Sequence, residues 1–189
     1  MGDAQLKPMD VAAFLDWEER QELRHEFDGI ETFAMTGGPD AHSAIQAGLM
    51  RALGNHLDGT PCQPRGSELK IRTATSVRYP DAFVVCSPRV PAATVVTDPV
   101  VIFEILSKST EAEDLAVKNA EYQSIPSVQR YIVLRQTHRS AIVYERKADF
   151  WSVSFKSGAD AVLDMPEIGI SIALAEIYKN ITLAGDRLG

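Results

Sequence analysis

Glu104 is the residue that most restricts how this chain can fold. It stands inside VVIFEIL (Val100 to Leu106), six apolar residues around a single carboxylate. A short apolar run rich in β-branched residues forms a strand in a sheet interior, so its neighbours carry Glu104 into the core. An unpaired carboxylate there costs roughly several kcal/mol. A second acid meets the same difficulty, because YPDAFVV places Asp81 directly ahead of Phe83, Val84 and Val85. Two carboxylates on two buried strands call for a shared partner, and a divalent cation suits both.

Around this pair the chain supplies the parts of an α+β or mixed α/β domain. Met9 to Leu23 reads as one or two short surface helices, with Asp10 as a cap. In RHEFDGIETFAM the pair Asp28-Gly29 lies between two short apolar runs and predicts a hairpin with a primed turn. TGGPD forms a loop that ends on Asp40, a suitable N-cap. Ile45, Leu49, Leu53 and Leu57 then recur at helical spacing, with His42 and His56 near the same stripe. Leu69, Ile71 and Thr73 alternate with Lys70 and Arg72, which suits a half-exposed strand. Pro88 to Pro99 connects the two buried strands. Ser109 and Thr110 ahead of Glu113 make a capping-box signature for a helix to Ser124. Leu115, Lys118 and Tyr122 share one face of that helix. Val128 to Leu134, Ser140 to Arg146 and Phe150 to Phe155 read as three antiparallel strands, and a Pro/Gly-punctuated tail closes on a short helix near Ala173 to Lys179.

The 189 residues, 45% of them hydrophobic, fit a single domain spanning 1–189. Residues 1–8 read as a flexible lead, and residues 160–189 as a C-terminal extension packing on the sheet. No apolar stretch approaches the roughly 18 residues of a membrane span, and MGDAQLKPMD lacks the basic and apolar regions of a secretory signal. The two cysteines, Cys62 and Cys86, read as reduced thiols of a cytoplasmic protein. They and the histidines lack zinc spacing, and Ser107 and Ser109 lack a base for serine chemistry. A net charge of −7 opposes broad attraction to nucleic acid. It leaves room for a nuclease in which a metal and a local basic rim dominate at close range. Arg65, Lys70, Arg72 and Arg78 would line such a groove, or form a solvated strand face.

Six segments taken together resemble a known family: RHEFDGIE (Arg24 to Glu31), GPDAHSAI (Gly38 to Ile45), PDAFVV (Pro80 to Val85), FEILSKST (Phe103 to Thr110), KNAEY (Lys118 to Tyr122) and RYIVL (Arg130 to Leu134). The chain resembles the Uma-type endonucleases, a domain-of-unknown-function family within the restriction-endonuclease-like PD-(D/E)XK superfamily. The resemblance implies a central mixed β-sheet flanked by helices, with the site on adjacent strands. It implies Asp81 and Glu104 as catalytic metal ligands, with the carbonyl of Ile105 completing the shell around Mg²⁺ or Mn²⁺. The superfamily lysine would fall at position 106, where this chain has Leu106; Lys118 matches the migrated lysine of the family. Glu26 matches a further acidic position, as an auxiliary acid. Ile132, Arg135 and Lys108 depart from the family pattern without touching these positions.

The chemistry asks for this set. Phosphodiester hydrolysis needs an attacking water, relief of charge at phosphorus and a stabilised leaving oxygen; two carboxylates holding a cation, with a lysine beside them, can supply these. The expected function is DNA cleavage. The alternative is a nuclease-fold protein that binds or scaffolds without cleaving, as a homodimer. Edge strands near residues 140 to 155 would allow the pairing. Each residue also has a plain structural role open to it: Asp81 as a strand cap, Lys118 as a solvated helix lysine, Glu26 on a surface strand, His42 as a packed or capping residue.

Overall fold

Asp10 starts the first helix, α1 (Val11–Glu18), by accepting a hydrogen bond from the Ala13 amide at 2.8 Å. The computed structural model describes residues 9–35, 37–106 and 111–183, the side chains of 111–114 excepted. The expected lead over residues 1–8 and the capping box of Ser109, Thr110 and Glu113 lie outside the described residues. Asp28-Gly29 does form a hairpin, joining β1 (His25–Phe27) to β2 (Thr32–Ala34). Gly29 has φ of 96°, the left-handed value a primed turn takes at its first central position. Asp28 Oδ1 accepts from the amides of Ile30 and Glu31. In α2 (Asp40–Leu57) the stripe Ile45, Leu49, Leu53 and Leu57 is fully buried. Its cap position falls to Pro39, one residue before the expected Asp40, which is already helical.

The chain continues through β3 (Gln63–Gly66), β4 (Lys70–Arg72), β5 (Val77–Arg78), β6 (Ala82–Val85), β7 (Val95–Val96) and β8 (Val101–Leu106). Then come α3 (Glu111–Ser124), β9 (Arg130–Arg135), β10 (Ser140–Arg146), β11 (Trp151–Ser157), β12 (Val162–Met165), β13 (Ile170–Ala173) and α4 (Leu174–Ile177). Six strands make the main sheet in the order β11-β10-β9-β8-β6-β3. β8 and β9 run parallel and the other neighbours antiparallel, so the sheet is mixed. A second sheet, β2-β1-β5-β4-β7, carries α1 against Phe27 and Val77. The fold is thus α+β, a central mixed sheet with helices on both sides, as the sequence predicts.

Alternation along β8 divides the core. Val101, Phe103 and Ile105 pack with Ala82, Val84 and the α2 stripe on one face. Ile102 and Leu106 pack with Phe83, Tyr122 and Tyr131 on the other. Glu104 therefore points to the α3 side.

Three sequence expectations need correction. The tail after residue 160 contains a hairpin, β12 with β13, where only loop and helix were expected. The strands are four residues each, too short to stand out between Gly158, Pro166 and Gly169. α4 then seats on α2, and a Cβ built at Gly48 would lie 2.0 Å from the Ile177 carbonyl oxygen. Second, Lys70 and Arg78 are buried rather than on a solvated face or groove: Lys70 pairs with Glu18, and Arg78 with Glu26 and Glu121. Each follows from the second sheet, which turns those strands toward α1 and α3. Third, Cys62 and Cys86 form a disulfide, with sulfurs 1.97 Å apart. The register Gln63↔Val85, carried one pair further, sets the two cysteines face to face across β3 and β6. Among the described residues no helix is long and apolar enough to cross a membrane. The cytoplasmic assignment loses the support it drew from reduced thiols.

β3 is the outer strand of the main sheet at this end. The Val84 carbonyl accepts from Val100 N at 2.8 Å, so Val84 turns its backbone groups toward β8. By alternation Pro64, paired with Val84, turns its own outward. Proline has no N–H to offer there, and Arg65 Nη1 occupies the Pro64 carbonyl at 3.0 Å.

Candidate active site

The register between β6 and β8 builds the centre of the site. Ala82 lies opposite Phe103, so the next pair places Asp81 beside Glu104, on the sheet face toward α3. Asp81 is fixed from three directions. Its Oδ2 accepts the Ile105 amide at 2.7 Å, and its carboxylate is 3.1 Å from His42 Nε2, in the first turn of α2. One helical turn later, Gln46 Nε2 donates to the Asp81 backbone carbonyl at 2.8 Å. His42 is held above its ordinary pKa, chiefly by this hydrogen bond to Asp81 against the opposing effect of burial.

Glu104 receives its partners from α3. Tyr122 Oη donates to its Oε1 at 2.8 Å, and Lys118 Nζ lies 3.4 Å from the same oxygen. The spacing of four residues puts both side chains on the helix face that meets the sheet. Burial pushes the Glu104 carboxyl up to about 8; Lys118 and the Tyr122 hydroxyl pull it down, while Asp81 and Glu26 add to the rise.

Lys118 also reaches Glu26 on β1, at 3.3 Å from Oε2 and 3.4 Å from Oε1. Glu26 is further bound by the Tyr79 amide at 3.0 Å and by Arg78 Nη1 at 3.3 Å. Arg78 in turn forks onto Glu121 of α3 at 2.7 and 2.8 Å. Two parallel N–H···O bonds of this kind fix both partners strongly. The result is a continuous, partly buried chain of contacts from β5 through Glu121 and Glu26 to Lys118 and Glu104.

The structure therefore brings Asp81, Glu104, Lys118 and Glu26 together, along with the Ile105 backbone. Sequence reasoning missed the supporting shell: His42, Gln46, Arg78, Glu121 and the bond from Tyr122. His42 carried a faint signal, falling on the inward stripe of α2 at the helix start. Arg78 carried none, because its partners lie 43 and 52 residues away. Among the described residues no group of three or more His, Cys, Asp and Glu side chains gathers as a metal cage.

A family model described as "Uma2: Putative restriction endonuclease" matches residues 11–175. An uncharacterized protein of Synechocystis sp. is 36% identical over 172 residues, covering 89% of this chain and 90% of its own. A second from the same organism is 26% identical over 167 residues, with 85% and 94% covered. Among solved structures, the fold is similar to one described as a putative nuclease belonging to DUF820 from Anabaena variabilis. The TM-score is 0.73 at 17% identity, covering 90% of this chain and 98% of that one.

Proposed function

This chain belongs to the Uma2 family, and on that premise we propose that it is a divalent-metal-dependent endonuclease hydrolysing DNA phosphodiesters at a PD-(D/E)XK-type site. The observation that carries the reading is the buried Glu104 carboxylate, beside Asp81 and within 3.4 Å of a lysine delivered from α3. A structural ion pair would not need a second acid next to it; a cation site would. The donor set also fits the ion: Mg²⁺ takes one or two carboxylates, keeps several waters and does not require an all-protein cage.

Asp81, Glu104 and the Ile105 carbonyl would hold Mg²⁺ or Mn²⁺. When bound, such an ion supplies Lewis acidity to a phosphoryl oxygen and makes a bound water more acidic. Asp81 keeps its orientation through the Ile105 amide and His42. Tyr122 fixes Glu104 by occupying one of its oxygens, leaving the other for coordination. Lys118 then stands where it can orient the attacking water and offset charge on the phosphate. Glu26 acts through Lys118: with Arg78 and the Tyr79 amide on its oxygens, it anchors the ammonium rather than reacting.

The test is nicking of supercoiled plasmid with Mg²⁺ or Mn²⁺, wild type beside Glu104→Ala and Lys118→Ala. Metal-dependent nicking lost in both variants is the expected result. Loss in Glu104→Ala alone would leave the cation site standing and remove the role of Lys118. No nicking by any form, with no Mg²⁺ binding by calorimetry, would replace the enzyme with the non-cleaving scaffold.

A further inference from the structure

We propose that β11 is a self-pairing edge, at which a second copy of this chain continues the main sheet about a two-fold axis through Ser154. β11 closes the sheet opposite β3 and, among the described residues, has a neighbour only in β10. The Lys147 amide bonds to the Phe150 carbonyl at 2.8 Å, and the Gly158 amide to the Arg139 carbonyl at 3.0 Å. Both lie on the register Ser140↔Ser157, which runs without a bulge to Arg146↔Trp151. By the alternation of an antiparallel ladder, Ser152, Ser154 and Lys156 bond inward to β10. Trp151, Val153, Phe155 and Ser157 turn their amides and carbonyls outward.

Those four residues set the partner. In an antiparallel pair centred on Ser154, Val153 meets Phe155 of the second copy and Trp151 meets Ser157. All the outward groups of both strands are then used at once. Val153 and Phe155 are 54% and 75% exposed and lie on one face; pairing gathers both copies of each into one apolar cluster beside Tyr144 and Ile142. Lys156 falls opposite Ser152, and no carboxylate lies on the strand, so no like charges meet. The strand also lacks the devices that keep edges apart: it has no proline and no bulge, and only one lysine along seven residues. An unrelated strand would have to match this pattern; a second β11 does so by symmetry.

Analytical ultracentrifugation of the full chain tests it together with cysteine scanning. Wild type is expected to sediment at twice the chain mass. Phe155→Lys should raise the dimer dissociation constant by at least about 10-fold, placing like charges in the cluster, with an unchanged thermal melt as the control for folding. At a non-hydrogen-bonded pair the Cα atoms are about 4.5 Å apart, within disulfide reach. Ser154→Cys should therefore cross-link two chains on oxidation, while Ser152→Cys, facing Lys156, should not. The native cysteines are already joined to each other. A monomeric wild type would overturn the proposal. So would a dimer indifferent to Phe155→Lys, or one in which Ser154→Cys cross-links no better than Ser152→Cys.

Discussion

Replacing Glu104 by Gln should make the metal-free protein more stable at slightly alkaline pH, and less sensitive to pH. The carboxyl is pushed up to about 8 in the folded protein against an ordinary 4.5, mainly by burial. Because the folded-state value lies above the unfolded one, the contribution of this group to stability is fully present below about 4.5, where the carboxyl is protonated in both states. That contribution is lost as pH rises through about 8. At about 1.4 kcal/mol for each unit of pKa, the window spans on the order of 5 kcal/mol, a large part of the stability of an ordinary domain. Glutamine keeps an acceptor for the Tyr122 hydroxyl and removes the charge. Urea unfolding between pH 5 and 9, without divalent cations, should show wild-type stability falling across the window and a flatter Glu104→Gln profile. Excess Mg²⁺ should restore wild type at pH 8 and leave the variant unchanged. Parallel pH profiles for the two proteins would falsify the assignment, since the titrating group would then lie elsewhere.

Three further outcomes follow from other parts of the structure. His42→Ala should weaken Mg²⁺ binding by about 10-fold, the effect of losing a side chain that orients a ligand; calorimetry giving equal affinities would dismiss the contact with Asp81 as incidental. Gly48→Ala should destabilise by about 3 kcal/mol or more, because its Cβ would meet the Ile177 backbone oxygen at 2.0 Å; an unchanged urea midpoint would mean that α4 does not seat on α2. Replacing both cysteines with serine should cost about 3 kcal/mol, from the 24-residue separation that the disulfide closes. Equal midpoints for the oxidised protein and the double variant would show that the bond does not constrain the unfolded chain.

Local patterns carried most of what was readable. VVIFEIL announced a buried strand with a carboxylate in it, and the spacing of Leu115, Lys118 and Tyr122 placed the lysine on the face toward that strand. Both follow from side-chain periods of two and 3.6, which need only a few neighbouring residues. What escaped depended on pairing between distant segments. His42 reaches Asp81 across 39 positions, and only the packing of α2 against β6 brings them together. Arg78 looked like one basic residue of four until the second sheet buried it between Glu26 and Glu121. The cysteines could be assigned only once β3 and β6 were in register, since their spacing alone fits a reduced pair equally well. Glu26 was visible as a family position, but its attachment to Lys118 required β1 to lie beside β5.

The two ends of the main sheet differ in a way that limits how large an assembly can grow. At β3 the outward amide is missing at Pro64, and the outward carbonyl is held by Arg65. At β11 the row is complete and matches its own reverse. A strand that recognises itself is used up by one partner, and the far rim of each partner then presents only the blunted strand. With β11 paired as proposed, growth would stop at two chains, a finite object rather than a fibre, and a chain with Pro64 replaced by valine would remove one of the obstacles to continuing it.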